Sequence, residues 1–171
     1  MSSKITTPPK YLLDWLSYTD MLTDKLKQSS DNVQLTLLSQ QQQRLTWWDR
    51  YYLGISENEI VQREIVVTAD AVPCWFARTV IPTSTFSAHQ TVFSRLKTDT
   101  LGDIIFGNYP IHRNYLRNYS ITKKNIELYW VLQHLEVKSS RFWVRLSEFA
   151  ITADVFYLLE VFLPGMESFA K

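Results

Sequence analysis

Three charged side chains fall within apolar rows of the predicted strands, which makes them the strongest candidates for a ligand site. Side chains alternate between the two faces of a strand, so every second residue belongs to the same row. The rows that contain the charges are Val61-Arg63-Ile65-Val67, Cys74-Phe76-Arg78-Val80 and Phe156-Leu158-Glu160-Phe162. Because both rows of the last strand are apolar, we expect that strand to be central in a sheet and Glu160 to be buried.

A buried charge needs a partner, because an isolated ion inside a protein is costly even after relaxation. One interpretation is a structural ion pair between Glu160 and one arginine. The other is a polar site in an apolar cavity, where Arg63 and Arg78 bind ligand carboxylates through their planar forks. Arg145 gives a weaker signal of the same kind, because its row also contains Ser147.

The other reactive side chains lack the spacing that known chemistries require. His89, His112 and His134 show no metal-ligand spacing, and Cys74 is the single cysteine, which excludes an intramolecular disulfide. The sequence contains no glycine-rich phosphate loop and no Gly-x-Ser-x-Gly motif. We therefore expect chemistry without a metal or a cofactor. The aromatic segment 47–52 is expected to line a core or a cavity.

Composition indicates a folded protein with an almost neutral charge. The 171 residues are 46% hydrophobic and 14% aromatic, and 18 Lys and Arg stand against 17 Asp and Glu. This length suits one domain over residues 1–171. The charge balance indicates neither a nucleic acid nor an anionic membrane as partner. Without an apolar signal sequence or a run of about 20 apolar residues, we expect a cytoplasmic monomer with no stable membrane insertion.

Hydrophobic periodicity predicts an α+β fold, in which a mostly antiparallel sheet is flanked by helices that are inserted between hairpins. Strands are predicted at 33–37, 60–69, 74–81, 115–120, 142–151 and 155–163, and helices at 8–27, 84–96 and 123–137. The second and third strands should form a hairpin, because only a short turn separates them. The segment 101–106 is short and apolar, and its type is left open.

Several segments follow one another in an order and spacing found in one enzyme family. They are Leu12–Leu16, Arg63–Val67, Pro73 with Arg78–Pro82, Leu101-Gly102 and Leu159–Pro164. Together they resemble the bacterial chorismate pyruvate-lyase family. The resemblance implies cofactor-free conversion of chorismate to 4-hydroxybenzoate and pyruvate, at the entry to ubiquinone synthesis. It also implies an internal cavity for the aromatic product, covered by two mobile flaps.

The resemblance gives roles to three charged residues. Arg63 matches the arginine that binds the ligand carboxylate, and Glu160 matches the glutamate that faces the product hydroxyl. We expect these two residues to be catalytic, with Glu160 acting as a neutral hydrogen-bond donor. Arg78 also matches a family arginine and is assigned to the enolpyruvyl carboxylate of chorismate.

Three apolar residues complete the expected substrate-binding set. Leu101 matches a leucine whose backbone contacts the ligand. Leu22 stands where the family has a methionine, and Met21 lies next to it. A leucine keeps the apolar volume, so we expect the site to tolerate the change.

Two alternatives remain open at this point. The same fold serves as the effector domain of some transcription regulators, so the chain could be a non-catalytic binding module for small aromatic carboxylic acids. A lyase that forms another hydroxybenzoate isomer is the second alternative. In each case the expected partners are small molecules, here chorismate, 4-hydroxybenzoate and pyruvate, and not nucleic acid.

Overall fold

A six-stranded antiparallel sheet forms the centre of the protein in the computed structural model, which describes residues 6–170. Its strands are β1 (Val33–Arg44), β2 (Glu59–Ala69), β3 (Val72–Pro82), β4 (Ile111–Ile121), β5 (Phe142–Ile151) and β6 (Asp154–Phe162). They lie in the order β1-β2-β3-β6-β5-β4. The last strand is therefore central and pairs with β3 and β5, as its two apolar rows predict.

Seven short α-helices within the described residues lie between or before the strands. They are α1 (Leu13–Leu16), α2 (Leu22–Lys27), α3 (Trp47–Leu53), α4 (Thr83–Ala88), α5 (Gln90–Phe93), α6 (Leu101–Ile105) and α7 (Ile126–Leu132). Turns of 3₁₀-helix lie at Lys10–Leu12, Ser94–Lys97 and Pro164–Ser168. The α+β prediction is confirmed, and within residues 6–170 no helix is long and apolar enough to cross a membrane.

The helices are shorter than periodicity predicts. The predicted helix 8–27 is divided into a 3₁₀ turn, α1 and α2, and the predicted helix 84–96 is divided as well. At α7 the backbone N–H of Thr122 donates to the Asn125 side chain at 2.9 Å, so 122–125 is a turn and the helix starts only after it. The segment 101–106 is helical because Thr100 and Asp103 form a capping box.

The β2–β3 hairpin contains an irregularity that decides which side chains share a face. Its turn residues Asp70 and Ala71 both have positive φ, 49° and 64°, as a two-residue hairpin turn requires. A bulge follows, because Thr68 pairs with Pro73 but Val67 pairs with Trp75. This extra residue on β3 shifts the register by one, and a shift by one exchanges the two faces of a strand.

The two faces of the sheet are covered by different elements. On one face, an apolar cluster built on α1, α2 and the C-terminal turn contains Trp15, Leu26 and Trp75, and a second cluster built on α5 and α6 contains Phe93 and Ile104. The other face is covered by α3 and α7 through a cluster that includes Trp48, Phe76, Leu128, Trp130 and Tyr157. The first face is not closed completely, and a cavity is left where its two clusters meet.

Candidate ligand cavity

The cavity is bordered by strand residues that point to one face of the sheet and by the two helices that cover them. From the strands come Arg63, Ile65, Val67, Trp75, Ala77, Thr79, Arg113, Arg145, Phe149, Leu158 and Glu160, and from the covering segments come Asp20, Met21, Leu22, Thr100, Leu101, Gly102, Ile105 and Phe106. Most of these side chains are apolar, and the charged ones lie on four different strands and on the loop before α2. This is the arrangement of a small-molecule site, an apolar enclosure with a few placed polar groups.

Arg63 is a buried cation that has no salt-bridge partner in the part of the chain that the structure describes. Its exposed fraction is 4%, and its Nε has no hydrogen-bond acceptor among residues 6–170. Burial lowers the pKa of its guanidinium. Since the flanking Ile65 and Val67 cannot solvate the charge, an anionic group in the cavity is the partner that this side chain lacks.

Glu160 lies directly across from Arg145 on the neighbouring strand. The Nε of Arg145 is 3.1 Å from Oε2 of Glu160, but neither atom has a partner with hydrogen-bond geometry. A second nitrogen of Arg145, Nη1, donates to the backbone carbonyl of Trp15 in α1. The pair is therefore an ion pair that keeps hydrogen-bonding capacity for a third group.

The expected role of Glu160 as a neutral hydrogen-bond donor stays a prediction, and Arg145 is the partner that the structure gives this carboxyl group. A guanidinium at 3.1 Å offsets part of the free energy that burying this carboxyl group costs. The sequence left two interpretations of Glu160 open, a structural ion pair and a polar group in a ligand cavity. The two are compatible, because Glu160 both pairs with Arg145 and borders the cavity. The arginine concerned is Arg145, which the sequence indicated only weakly.

Arg113 on β4 is a cavity residue that sequence reasoning missed. Its guanidinium lies 4.9 Å from the ring centre of Phe149, and Nη1 donates to the carbonyl of Thr19 at 3.0 Å, whereas Nε is buried without a partner within residues 6–170. Burial and the nearby charge of Arg145 lower its pKa. The row on β4 is largely polar and is interrupted by a bulge between Arg113 and Tyr115, so parity gave no signal there.

The charges that border the cavity do not cancel. Three arginines, Arg63, Arg113 and Arg145, face two carboxylates, Glu160 inside and Asp20 at the exposed rim. Three positive charges and two negative ones leave one positive charge, and the two buried arginines, Arg63 and Arg145, against the one buried carboxylate, Glu160, leave one as well. The cavity is thus suited to an anion, and its planar forks suit carboxylates.

Met21, Leu22 and Leu101 border the cavity from its helical side. Leu101 is the first residue of α6, and Met21 immediately precedes α2. A Cβ at Gly102 would lie 3.1 Å from Cγ of Met21, so the glycine allows the two segments to approach each other. All three predicted apolar residues are therefore placed at the cavity, and their contacts with a ligand stay predictions.

Arg78 lies on the opposite face, and its assignment to a substrate carboxylate is corrected here. Because of the bulge it pairs with Glu64, whereas Arg63 pairs with Thr79. Arg78 is fully buried, its Nη1 is 2.6 Å from Oδ1 of Asp49, and its Nε donates to Oε1 of Gln62 at 2.7 Å. Its ion pair with Asp49, a residue of α3, holds that helix against the sheet.

The histidines and the cysteine are placed as packing or surface groups. His134 is 2.7 Å from Glu64 and His89 is 2.7 Å from Asp154, each through Nε2. Cys74 is buried at the bulge, and burial raises the pKa of its thiol to about 11. Residues 6–170 contain no group of three or more His, Cys, Asp or Glu side chains that could hold a metal ion.

Comparison with known proteins decides the family. Residues 1–171 match the family described as chorismate lyase. The chain belongs to the chorismate lyase family. A probable chorismate pyruvate-lyase of Shewanella sp. is 29% identical over 168 residues, 96% of this chain and 85% of that protein. The chorismate pyruvate-lyase of Escherichia coli is 26% identical over 157 residues, 90% of this chain and 83% of that protein.

Solved structures share the fold of this chorismate lyase family member at low sequence identity. The C-terminal domain of PhnF superimposes with a TM-score of 0.59 over 86% of this chain and 89% of that domain, at 13% identity. The C-terminal domain of the histidine utilization repressor from Pseudomonas syringae pv. tomato gives 0.58 over 79% of this chain and 94% of that domain, at 7% identity. These similarities support the fold alone.

Proposed function

We propose that the protein is a lyase that eliminates pyruvate from chorismate. The observation that carries the proposal is the excess of buried arginines over carboxylates in the cavity of a chain that belongs to the chorismate lyase family. Chorismate carries two carboxylates and is therefore a dianion. A dianion supplies the negative charge that balances the arginine excess, whereas an uncharged aromatic compound would leave Arg63 buried without a charged partner.

Arg63 and Glu160 set the orientation of the ring. Arg63 on β2 binds the ring carboxylate through its fork, and Glu160 on β6 accepts a hydrogen bond from the ring hydroxyl. The apolar side chains of Ile65, Leu158 and Phe149 border the same space and cover the faces of the ring. A carboxylate at one end and a hydroxyl at the other are the polar groups of a hydroxybenzoate, so substrate and aromatic product bind in the same orientation.

Arg113 and Arg145 bind the enolpyruvyl carboxylate. They approach from the β4–β5 side of the cavity, across from Arg63, and the mutual repulsion of their charges is relieved when an anion lies between them. This role replaces the one that the sequence assigned to Arg78. Two forks at one carboxylate also hold the side chain of the substrate in a fixed position.

The reaction balances without a further reactant. The ether bond between the ring and the enolpyruvyl oxygen breaks, and the neighbouring ring carbon that bears the hydroxyl loses its proton. The electrons of that C–H bond complete the aromatic ring, and the enolpyruvate that leaves takes up one proton to become pyruvate. Glu160 is the base in reach of the hydroxyl-bearing carbon, and the arginines stabilise the negative charge that develops on the leaving group.

The finer parts of the proposal concern the product and its use. We assign 4-hydroxybenzoate as the aromatic product, ubiquinone synthesis as the pathway, and the cytoplasm as the location of a protein that acts as one domain. The relatives that carry the name chorismate pyruvate-lyase support the reaction. The fold, which effector domains of regulators share, is compatible with binding alone.

One assay separates these cases. The purified chain is incubated with chorismate, pyruvate is followed with a coupled enzyme, and the aromatic product is identified by chromatography. The proposal requires pyruvate and 4-hydroxybenzoate in equal amounts. Equal amounts of pyruvate and the 3-hydroxy isomer would contradict the assigned product. Binding of 4-hydroxybenzoate without any pyruvate would contradict the lyase and favour a binding module.

A further inference from the structure

A group of exposed aromatic side chains covers the outer surface of α3 and α7, on the face of the sheet remote from the cavity. The aromatic patch consists of Trp47, Tyr51, Tyr52 and Tyr129, whose exposed fractions lie between 56% and 79%. Its rings contact one another, with centroid distances of 6.2 Å for Trp47–Tyr52 and 5.2 Å for Tyr51–Tyr52. Trp47, Tyr52 and Tyr129 border one surface groove.

The fold does not require these aromatic residues. Helix α3 is anchored by Trp48, whose Nε1 donates to Glu127 at 3.1 Å, and α7 is anchored by Trp130 and Leu128. All six tryptophans of the sequence lie in the described part of the chain, and five of them are at most 9% exposed. Trp47 is the exception, so its exposure needs an explanation other than packing.

The exposed charges within α3, within α7 and in the turn before α7 all have one sign. In the ranges 46–53 and 122–132 the exposed charged residues are Arg50, Lys123 and Lys124. The acidic residues of the same ranges, Asp49 and Glu127, are buried and paired with Arg78 and with Trp48 and Tyr119. The surface is therefore positive locally, although the whole chain carries a formal charge of only +1.

We propose that the aromatic patch docks reversibly on an anionic lipid bilayer. Tryptophan and tyrosine have an apolar body and a polar tip, and they are the residues enriched where headgroups meet the hydrocarbon. Lys123 and Lys124 border the groove and complement an anionic surface. A protein partner fits less well, because protein interfaces are depleted in lysine. Docking of this kind is peripheral, so it needs no membrane-spanning helix.

Vesicle binding tests the proposal. The full chain is mixed with phosphatidylcholine vesicles that contain 30% phosphatidylglycerol or none, and binding is measured by sedimentation and by tryptophan fluorescence. We expect co-sedimentation and a blue shift with the anionic vesicles only, both weakened by 0.5 M salt. K123Q/K124Q should weaken binding at least about tenfold, because each lysine contributes roughly a factor of five.

Two control variants make the outcome specific. K10Q/K97Q removes the same charge from exposed lysines on the cavity side, and its vesicle binding should equal that of the unmodified chain. W47F should still sediment with anionic vesicles but lose the blue shift, since the other tryptophans are buried. No binding to anionic vesicles, or equal loss in both lysine pairs, would overturn the proposal. A blue shift that follows protein concentration without lipid would also overturn it and identify a second copy as the occupant.

Discussion

Arg145 on β5 and Glu160 on β6 are direct partners across the centre of the sheet, with Nε and Oε2 3.1 Å apart at the floor of the cavity. The relationship explains how a carboxylate is kept in an apolar site. The guanidinium offsets part of the cost of burying the carboxyl group, and the unaligned geometry leaves an oxygen able to accept a hydrogen bond from a ligand. In the proposed reaction Glu160 acts as an acceptor and a base, and this role would make its charge essential.

Replacing Glu160 should therefore abolish turnover even when its shape is kept. We expect both E160Q and E160A to lower kcat for pyruvate release about 100-fold or more, the usual contribution of a positioned base. E148Q, a change on the opposite row of the same sheet, should leave kcat within about twofold. If E160Q kept most of the activity while E160A lost it, a neutral donor would suffice and the charged role would be wrong.

Arg63 and Arg78 should affect stability in opposite directions. R63M removes an unpaired buried charge and should raise the free energy of unfolding by about 1 kcal/mol or more without ligand. R78M leaves Asp49 buried and unpaired and should lower it by about 3–5 kcal/mol. Urea denaturation at pH 7 measures both. A loss in R63M as large as that in R78M would mean that Arg63 has a structural partner.

Gly102 should matter through Met21 rather than through the backbone. A Cβ at this position would lie 3.1 Å from Cγ and 3.2 Å from Sδ of Met21, so in G102A that side chain, which borders the cavity, must shift slightly. We expect about tenfold weaker binding of 4-hydroxybenzoate, as for a misfit of one methyl group. Calorimetric titration checks the affinity, and an unchanged melting temperature would show that α6 is intact. Unaltered affinity would place the ligand away from Met21.

Cys74 should make the fold sensitive to alkaline pH. Burial, and to a smaller extent the charge of Asp70, raises the pKa of its thiol from 9.0 to about 11. The folded state holds the thiol proton more tightly, so the resulting stability is fully present below pH 9 and is lost as the pH rises toward 11. Between pH 8 and 10.5 the unmodified chain should lose about 2 kcal/mol more than C74A. Equal losses in the two proteins would contradict this.

The sequence predicted the sheet better than the helices. The alternation of apolar residues directly indicates a strand and its two faces. The predicted bounds of β2, β3, β5 and β6 are therefore nearly correct. The breaks within the predicted helices 8–27 and 84–96 depend on local hydrogen bonds and on tertiary packing, which periodicity does not contain.

The candidate site was predictable only in part, because some of its residues depend on a bulge and on the strand order. Strand parity identified Arg63 and Glu160, and both border the cavity. It could not reveal that a bulge near Cys74 moves Arg78 to the other face, because one extra residue exchanges the rows without altering their composition. Strand parity did not identify Arg113, because the other residues of its row on β4 are largely polar. The partner of Glu160 depended on strand order, which a single sequence does not specify.

The most direct test of the central claim is chorismate turnover by R63M beside the unmodified chain. Both are first shown to be folded by circular dichroism, and kcat/KM is then measured from pyruvate release. The account predicts turnover by the unmodified chain and at least about a 1,000-fold loss in R63M, because the arginine both binds the ring carboxylate and orients the reacting carbon. A folded R63M with the kcat/KM of the unmodified chain would contradict the assignment of this cavity as the active site.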